Sequence, residues 1–133
     1  MKPWRRAVRV LLRQEEEVVL VRHEETGFLT LPGGGIEDGE SVYEAANREL
    51  FEELGLSTED FVINYVSPHI HYYRYPDETR VHKGQKETLL VATLKPTAKP
   101  RITSAEVAEV RFAPVDDLPY EELLVAAKKA LNV

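Results

Sequence analysis

Short segments rich in apolar and β-branched residues dominate the beginning of the chain. The segment RAVRVLLR, near residues 5–12, and the segment EVVLVRH, residues 17–23, read as strands, and the polar turn RQEE joins them. A third short apolar segment, GFLTL, runs into Pro32 and three glycines. The pattern predicts two joined strands, then a short strand that ends in a glycine loop.

Strand patterns return in the second half of the chain. The segments FVINYV and HIHYYRY carry alternating β-branched and aromatic residues, and Ser67–Pro68 is predicted to interrupt them. The segment ETLLVATL, residues 87–94, reads as a buried strand. A loop with Pro96 and Pro100 follows, and AEVRFAP predicts a further strand.

Two helices are predicted, one early and one at the C-terminus. Ser41 and Glu44 form a capping box at the start of the early helix, and Gly55 is a natural terminator after its last turn. The C-terminal segment PYEELLVAAKKAL has apolar residues at helical spacing, with lysines in its last turns. These elements predict an α/β fold with a mixed sheet and helices on its faces, and we expect residues 1–133 to form a single domain.

The early helix has one acidic side. Glu49, Glu52 and Glu53 share an arc with two alanines, and no lysine is interspersed among them. A separate apolar side is predicted to face the core, and it consists of Tyr43, Leu50, Phe51 and Leu54. Like charges three and four residues apart weaken a helix, so something outside the helix must compensate for them.

A bound cation explains this acidic side better than a solvated surface does. A solvated face usually intersperses lysines among its acids. Mg²⁺ prefers oxygen ligands, and water and substrate phosphates typically complete its coordination. Three carboxylates beside small side chains would suit such a cation. The glycines at 33–35 allow backbone to approach a ligand closely and can add carbonyl ligands, although a flexible turn would also need them.

Charge and composition exclude several classes of function. The net charge of −6 argues against a broad grip on long nucleic acid, but it does not exclude a local basic pocket. The absence of cysteine excludes disulfides, thiolate chemistry and a cysteine zinc site. No apolar run is long enough to span a bilayer, and no signal peptide is recognised at the N-terminus, so we expect a cytoplasmic protein without a membrane partner.

The segment from Gly34 to Leu56 resembles the Nudix box. In that motif, G-x5-E-x7-R-E-U-x-E-E-x-G-U, U is an aliphatic residue, and every fixed position is filled here. The resemblance implies an α/β/α sandwich with a mixed sheet and a loop–helix–loop catalytic motif. It also implies Mg²⁺- or Mn²⁺-dependent hydrolysis of a diphosphate linked to another group.

The resemblance also assigns roles to the residues of the box. The implied metal ligands are Glu52 and Glu53, usually with Glu49 and the carbonyl of Gly33. Arg48 would orient Glu49, and Glu40 would be a supporting residue. The implied catalytic residues are therefore Arg48, Glu49, Glu52 and Glu53.

A second resemblance covers about residues 31–94. The segments IHYYRYP and KGQKETLLVATL are similar in order and spacing to bacterial RNA 5′-pyrophosphohydrolases and plant-type dinucleoside polyphosphate hydrolases. A tyrosine could stack a base, or it could pack in the sheet, and the two lysines could hold distal phosphates or be solvated. The candidate substrate-binding residues are Gly34, Tyr73, Tyr75, Lys83 and Lys86. The loop TAKPRI lacks an acidic residue, so Glu106 and Glu109 are the candidates for an extra carboxylate outside the helix.

These features favour a Nudix hydrolase that acts on a small nucleotide as monomer or homodimer. The preferred substrate is a dinucleoside polyphosphate such as diadenosine tetraphosphate, because the acidic net charge suits a small molecule. The alternatives are triphosphorylated RNA 5′ ends, an oxidised nucleoside triphosphate, or a Nudix-fold module that binds nucleotides without catalysis. The box retains all its glutamates, which argues against the last alternative.

Overall fold

The computed structural model describes residues 2–77 and 79–117. In these ranges the chain forms seven strands and one helix. In chain order they are β1 (Trp4–Gln14), β2 (Glu17–His23), β3 (Leu29–Thr30), β4 (Gly33–Gly35), α1 (Val42–Leu54), β5 (Phe61–Arg74), β6 (Gly84–Leu94) and β7 (Val107–Pro114). None of the helices in these ranges is long and apolar enough to span a bilayer.

The strands form one mixed sheet with β1 near its centre. The order is β3-β2-β1-β6-β5, while β4 pairs with β1 and β7 pairs with β2. The β1–β6 pair is parallel, and every other pair is antiparallel. This arrangement places β1, β6 and β5 side by side. A cavity lies over one face of the N-terminal halves of β1 and β6 and the C-terminal end of β5.

Buried side chains cover both faces of the sheet. On one face Val8 and Val10 pack with Leu50 and Leu54 of α1, and on the other Leu11 packs with residues of β2 and β6. Apolar burial on both faces confirms the predicted α/β fold with a mixed sheet. The predicted C-terminal helix lies outside the described residues.

The structure corrects the prediction of a break at Ser67–Pro68. β5 continues through both residues, with register irregularities between Ile63 and Tyr65 and between Val66 and Ile70. Proline cannot donate a hydrogen bond to a ladder, but β5 is an edge strand, and an irregular register there tolerates the missing donor. β6 also begins earlier than the predicted residues 87–94, because Gly84 already pairs with Trp4.

The glycine segment also differs from its prediction. Gly33–Gly35 is a short strand, not a loop, and it pairs with Ala7–Arg9 of β1. Of the predicted strand GFLTL, only Leu29–Thr30 pairs in the sheet. Glycine has a low strand propensity, so this pairing could not be expected from local preference.

The apolar side of α1 is rotated relative to its prediction. Leu50 and Leu54 are buried as expected, but Tyr43 and Phe51 are 51% and 64% exposed. Ala45, Ala46 and Glu53 are buried in their place. The small alanines let the helix approach the sheet closely, and the buried arc is therefore centred nearer to the acidic side than residue size suggested.

Candidate active site

The ends of α1 are fixed by local capping. The Ser41 side chain accepts a hydrogen bond from the Glu44 backbone N–H, and the Glu44 side chain accepts one from Ser41 N–H. Gly55 adopts a left-handed conformation with φ 66° and donates to the carbonyls of the last turn. These caps hold the glutamates in the second half of the helix at fixed positions against the sheet.

Arg48 ties the helix to the preceding segment. Its Nε lies 2.7 Å from Glu40 Oε2, and its Nη2 donates to the Gly35 carbonyl at 2.8 Å. Its Nη1 lies 3.0 Å from Glu49 Oε1. These charge-assisted hydrogen bonds lower the pKa of Glu40 to about 2 and raise the pKa of Arg48. Arg48 is thus held as a cation at every ordinary pH.

Glu53 is buried at the other end of the acidic side. Its side chain enters the interior beside β4, where Oε1 accepts a hydrogen bond from Gly33 N–H at 3.1 Å. Its Oε2 is buried and has no hydrogen-bond partner among the residues that the structure describes. Burial, together with the neighbouring Glu49, raises the pKa of Glu53 to about 8. A carboxylate at this position needs a proton or a cation.

Two glycines are required by close approach. Gly33 has a φ of 147°, and a Cβ there would meet the Val8 carbonyl oxygen. A Cβ on Gly34 would lie 2.5 Å from Glu49 Oε1. Side chains at either position would therefore displace the strand or the carboxylate, which explains why glycines stand here.

Glu52 is separated from the two other glutamates. Its side chain is 53% exposed, and its contact with Arg48 Nη1 is long, at 3.4 Å. Within the described ranges no group of three acidic or histidine side chains is already gathered to hold a metal ion. Glu52 would have to turn away from Arg48 to join Glu53.

A cavity of about 810 Å³ adjoins Glu49, Glu53 and β4. Of the residues predicted from the sequence, Gly33, Gly34, Tyr73, Tyr75 and Glu106 also line it. Tyr73 and Tyr75 contact each other edge to face, and the Arg80 guanidinium lies 4.5 Å from the Tyr75 ring centre.

Five predicted residues do not line this cavity, namely Arg48 and Glu52 of α1 and three residues outside the helix. Lys83 Nζ lies 5.0 Å from the Trp4 ring centre, and Lys86 follows Gln85 on β6 and is exposed. Glu109 pairs with Arg22 at 2.9 Å and with Arg111 at 2.8 Å. Glu106 therefore remains the candidate for an extra carboxylate that the structure brings near the other residues.

The floor of the cavity is a charged network that the sequence analysis missed. Arg9 Nε lies 2.7 Å from Glu87 Oε2, and His71 Nδ1 lies 2.8 Å from Glu87 Oε1. Arg9 also donates a hydrogen bond to the Gln85 side-chain oxygen, and the Gln85 amide donates to the Tyr75 hydroxyl at 2.9 Å. Burial opposes the ionisation of Glu87, but its hydrogen bonds with His71 and Arg9 outweigh burial and lower its pKa. The sequence signal was weak, because Arg9 is one of four arginines in β1 and Glu87 lies at the start of an apolar segment.

Comparison with known families agrees with the motif in α1. The family model of the NUDIX domain matches residues 3–132. The RNA pyrophosphohydrolase of Pasteurella multocida is 47% identical over 62 residues, which cover 42% of this chain and 31% of that protein. A nucleoside triphosphate pyrophosphatase/Nudix hydrolase fusion protein of Bifidobacterium longum is 34% identical over 106 residues, which cover 78% of this chain and 20% of that protein. The chain thus spans about a third or less of the length of these two relatives.

Solved structures share the fold at low sequence identity. A binary complex of Ap4A hydrolase from C. elegans matches with a TM-score of 0.80 at 19% identity, over 94% of this chain and 93% of that chain. The dihydroneopterin triphosphate pyrophosphohydrolase of E. coli matches with a TM-score of 0.76 at 14% identity, over 99% and 100% of the two chains. These matches confirm the fold.

Proposed function

The chain belongs to the Nudix family, and we propose that it hydrolyses a diphosphate linkage of a nucleoside polyphosphate with a divalent metal ion. The observation that carries this proposal is Glu53. Its unpartnered oxygen is buried beside Gly33 and Glu49 at a cavity wide enough for a nucleotide. A cation would compensate the charge that burial disfavours there.

The donor set near Glu53 fits a hard cation. The proposed ligands are carboxylates of Glu49, Glu52 and Glu53 with the Gly33 carbonyl, which are the oxygen donors that Mg²⁺ or Mn²⁺ prefers. When bound, such a metal supplies charge neutralisation for the diphosphate and acidifies the attacking water.

The protein's own residues position the reacting groups and accept the proton of the attacking water. Arg48 holds Glu49 Oε1 at 3.0 Å, so that the Glu49 carboxylate stays directed toward Gly34 at the cavity wall. A glutamate of this group accepts the proton of the attacking water, because these carboxylates are the bases closest to the proposed reaction centre. Arg48 is therefore a positioning residue, and Glu49, Glu52 and Glu53 are the proposed catalytic groups.

The far wall of the cavity suits a nucleobase. Tyr73 and Tyr75 offer aromatic surface beside the Arg80 guanidinium, while the half-exposed Phe28 lines the cavity just before β3, at the other end of the strand order. A base stacks on such side chains without regard to its sequence identity.

The names of several relatives support triphosphorylated RNA 5′ ends as the substrate of this chain. Proteins up to 47% identical to this chain over part of its length carry the name RNA pyrophosphohydrolase. The net charge of −6 favours a dinucleoside polyphosphate, but that number does not describe where the charges lie. Diadenosine tetraphosphate remains the second candidate, since aromatic side chains line one cavity from both ends of the strand order.

A kinetic panel tests both the activity and the substrate. Product release is measured with Mg²⁺ for a triphosphorylated RNA oligonucleotide, diadenosine tetraphosphate and an oxidised deoxynucleoside triphosphate, beside a Glu52→Gln variant and an EDTA control. We expect wild-type turnover well above both controls and the highest kcat/KM with RNA. Wild-type turnover no greater than that of Glu52→Gln would indicate a binding module without catalysis.

A further inference from the structure

A basic and aromatic surface lies on the face of the sheet opposite the cavity. Successive side chains of a strand point to opposite faces, so the register places Arg6 beside Lys86 and Lys86 beside Tyr72 on one face. In the next row Trp4 pairs with Gly84 and Gly84 with Arg74. Together with Lys83 these residues form what we call the Trp4 face, which consists of Trp4, Arg6, Tyr72, Arg74, Lys83 and Lys86.

The charges of the Trp4 face are not compensated within the described part of the chain. Arg6, Arg74 and Lys86 are exposed, and no ion pair joins any of its four cations to an acid among residues 2–77 and 79–117. The paired positions in these two rows carry no acidic residue. In a protein of net charge −6, such a surface is an exception, and it attracts a partner of opposite charge.

Aromatic rings are fixed among these cations. Trp4 and Tyr72 contact edge to face at 5.2 Å, and the Arg74 guanidinium lies 5.8 Å from the Trp4 ring centre. Gly84 leaves the space that Trp4 occupies, because a Cβ there would lie 2.6 Å from the Trp4 ring. Tyr72 is 55% exposed, so one ring face remains available to a ligand.

The chemistry of this surface matches single-stranded nucleic acid. Cations spaced over about 10 Å of three neighbouring strands can contact successive phosphates, and an exposed aromatic ring can stack a base. We propose that the Trp4 face binds the single-stranded RNA chain downstream of a 5′ end held in the cavity. This inference rests on RNA as the proposed substrate.

The two surfaces are connected through the strands themselves. Tyr73, Tyr75 and Gln85 line the cavity, while their chain neighbours Tyr72, Arg74 and Lys86 belong to the Trp4 face. An RNA chain that leaves the cavity reaches the Trp4 face by passing round the edge strand β5 or the adjoining strand ends. This path also gives Lys83 and Lys86 a role with phosphates, although neither lines the cavity.

Binding of a 5′-hydroxyl RNA 12-mer separates this inference from catalysis. Affinity is measured by fluorescence anisotropy at several salt concentrations for wild type, Arg6→Gln/Arg74→Gln and the matched control Lys95→Gln/Lys99→Gln. Loss of two phosphate contacts should lower the salt-dependence slope by about 1.4, since each contributes about 0.7 on a single strand. The control loses the same charge from exposed positions beyond the other end of β6 and should keep the wild-type slope.

Tyr72 provides an uncharged test of the same surface. Tyr72→Ala should weaken 12-mer binding about tenfold, and Tyr72→Phe should retain it, because stacking needs the ring but not the hydroxyl. In kinetics, Arg6→Gln/Arg74→Gln should raise KM for a triphosphorylated 12-mer by about tenfold and leave diadenosine tetraphosphate turnover within about twofold.

The outcomes distinguish the two proposals. Equal RNA binding by Arg6→Gln/Arg74→Gln and the control would overturn the Trp4 face as an RNA site, even if RNA is hydrolysed. Binding of the Trp4 face to anionic lipid vesicles, but not to RNA, would overturn it in favour of a membrane surface. RNA binding that is lost in Arg6→Gln/Arg74→Gln, without hydrolysis of any triphosphorylated RNA, would support the Trp4 face and overturn the proposed substrate.

Discussion

Glu40 and Glu53 belong to one motif, but they lie in opposite electrostatic environments. Two N–H groups of the Arg48 guanidinium donate to the Glu40 carboxylate, and the pKa of Glu40 is lowered to about 2. Glu53 is buried with one unpartnered oxygen, and its pKa is raised to about 8. The protein thus compensates the charge at the Arg48 end by itself, whereas the Glu53 end, where we propose a metal ion, keeps a buried oxygen without a hydrogen-bond partner among the described residues. The comparison suggests that the first end is structural and the second chemical.

Glu53→Gln tests the chemical end and should have the largest effect. The amide keeps the volume and can still accept from Gly33 N–H, but it is a poor metal ligand, so activity should fall by about two to three orders of magnitude. The metal-free variant should be as stable as wild type or more stable at pH 8, because a buried charge is removed. Steady-state kinetics and thermal melts measure both effects, and Mg²⁺ should raise the variant's Tm much less than that of wild type.

Leu50→Ala is the reference for a structural defect in the same helix. Leu50 is fully buried, so this change should cost about 2–5 kcal/mol of unfolding free energy and should preserve the rise of Tm with Mg²⁺. If Glu53→Gln destabilised the metal-free protein as much as Leu50→Ala, Glu53 would be a structural residue.

Arg48→Lys tests the structural end. Lysine cannot contact Glu40, Glu49 and the Gly35 carbonyl with one planar group, so Glu49 should lose its orientation. We expect activity to fall about ten- to a hundredfold and the free energy of unfolding to fall by about 1–3 kcal/mol, measured by urea denaturation. Arg22→Lys weakens an ion pair that does not line the cavity and should change activity little. An equal loss of activity in both variants would contradict the positioning role.

The pH dependence of metal binding sharpens the contrast. Since the pKa of Glu53 is about 8, Mg²⁺ must displace a proton from Glu53 below that pH. The Kd for Mg²⁺ should therefore fall by up to about tenfold per pH unit as the pH rises from about 6 to 8. In the same protein without metal, the folded state holds this proton between 4.5 and about 8, so its stability falls as pH rises through that range. Calorimetric titrations and melts measure these trends, and Glu53→Gln should flatten both.

Of these variants, Glu40→Gln should have the smallest effect. Its effect on stability should depend on pH in the opposite direction to that of Glu53→Gln. The folded pKa of Glu40, about 2, lies below its ordinary value of 4.5, so its contribution is present above pH 4.5 and is lost as pH falls toward 2. The Tm difference between wild type and variant should therefore be present at pH 7 and absent near pH 2. A difference that grew on acidification would show that Arg48 does not stabilise the Glu40 carboxylate.

Local features of the sequence predicted the early helix and most strands. The Ser41 capping box and the Gly55 terminator act within a few residues, so the bounds of α1 could be read directly. Helical periodicity sorted the side chains into two sides, but it could not say that Phe51 faces solvent while Glu53 enters the interior. That choice depends on a hydrogen bond from Gly33, in a strand whose pairing is not local.

Parts of the site that depend on sheet register could not be predicted. Arg9 and Glu87 meet because β1 and β6 are parallel neighbours, although 78 positions separate them in the sequence. Register likewise directs Lys86 to the face opposite Gln85, which is why a predicted cavity lysine lies elsewhere. The roles of the box residues themselves stay predictions until the variants are measured.

The parallel pairing of β1 with β6 has a consequence for synthesis on the ribosome. Ten residues of β1 pair with residues of β6 that lie 80 positions later in the chain. Only five residues of β1 pair with β2 or β4, which are made much earlier. At about 5–20 residues per second, roughly 4–16 s pass before the partner of Trp4 exists. During that interval β1, which will lie near the centre of the sheet, lacks its partner β6, and its backbone groups on that side are unpaired. The nascent chain is therefore a candidate client for chaperones that bind exposed strands early in translation.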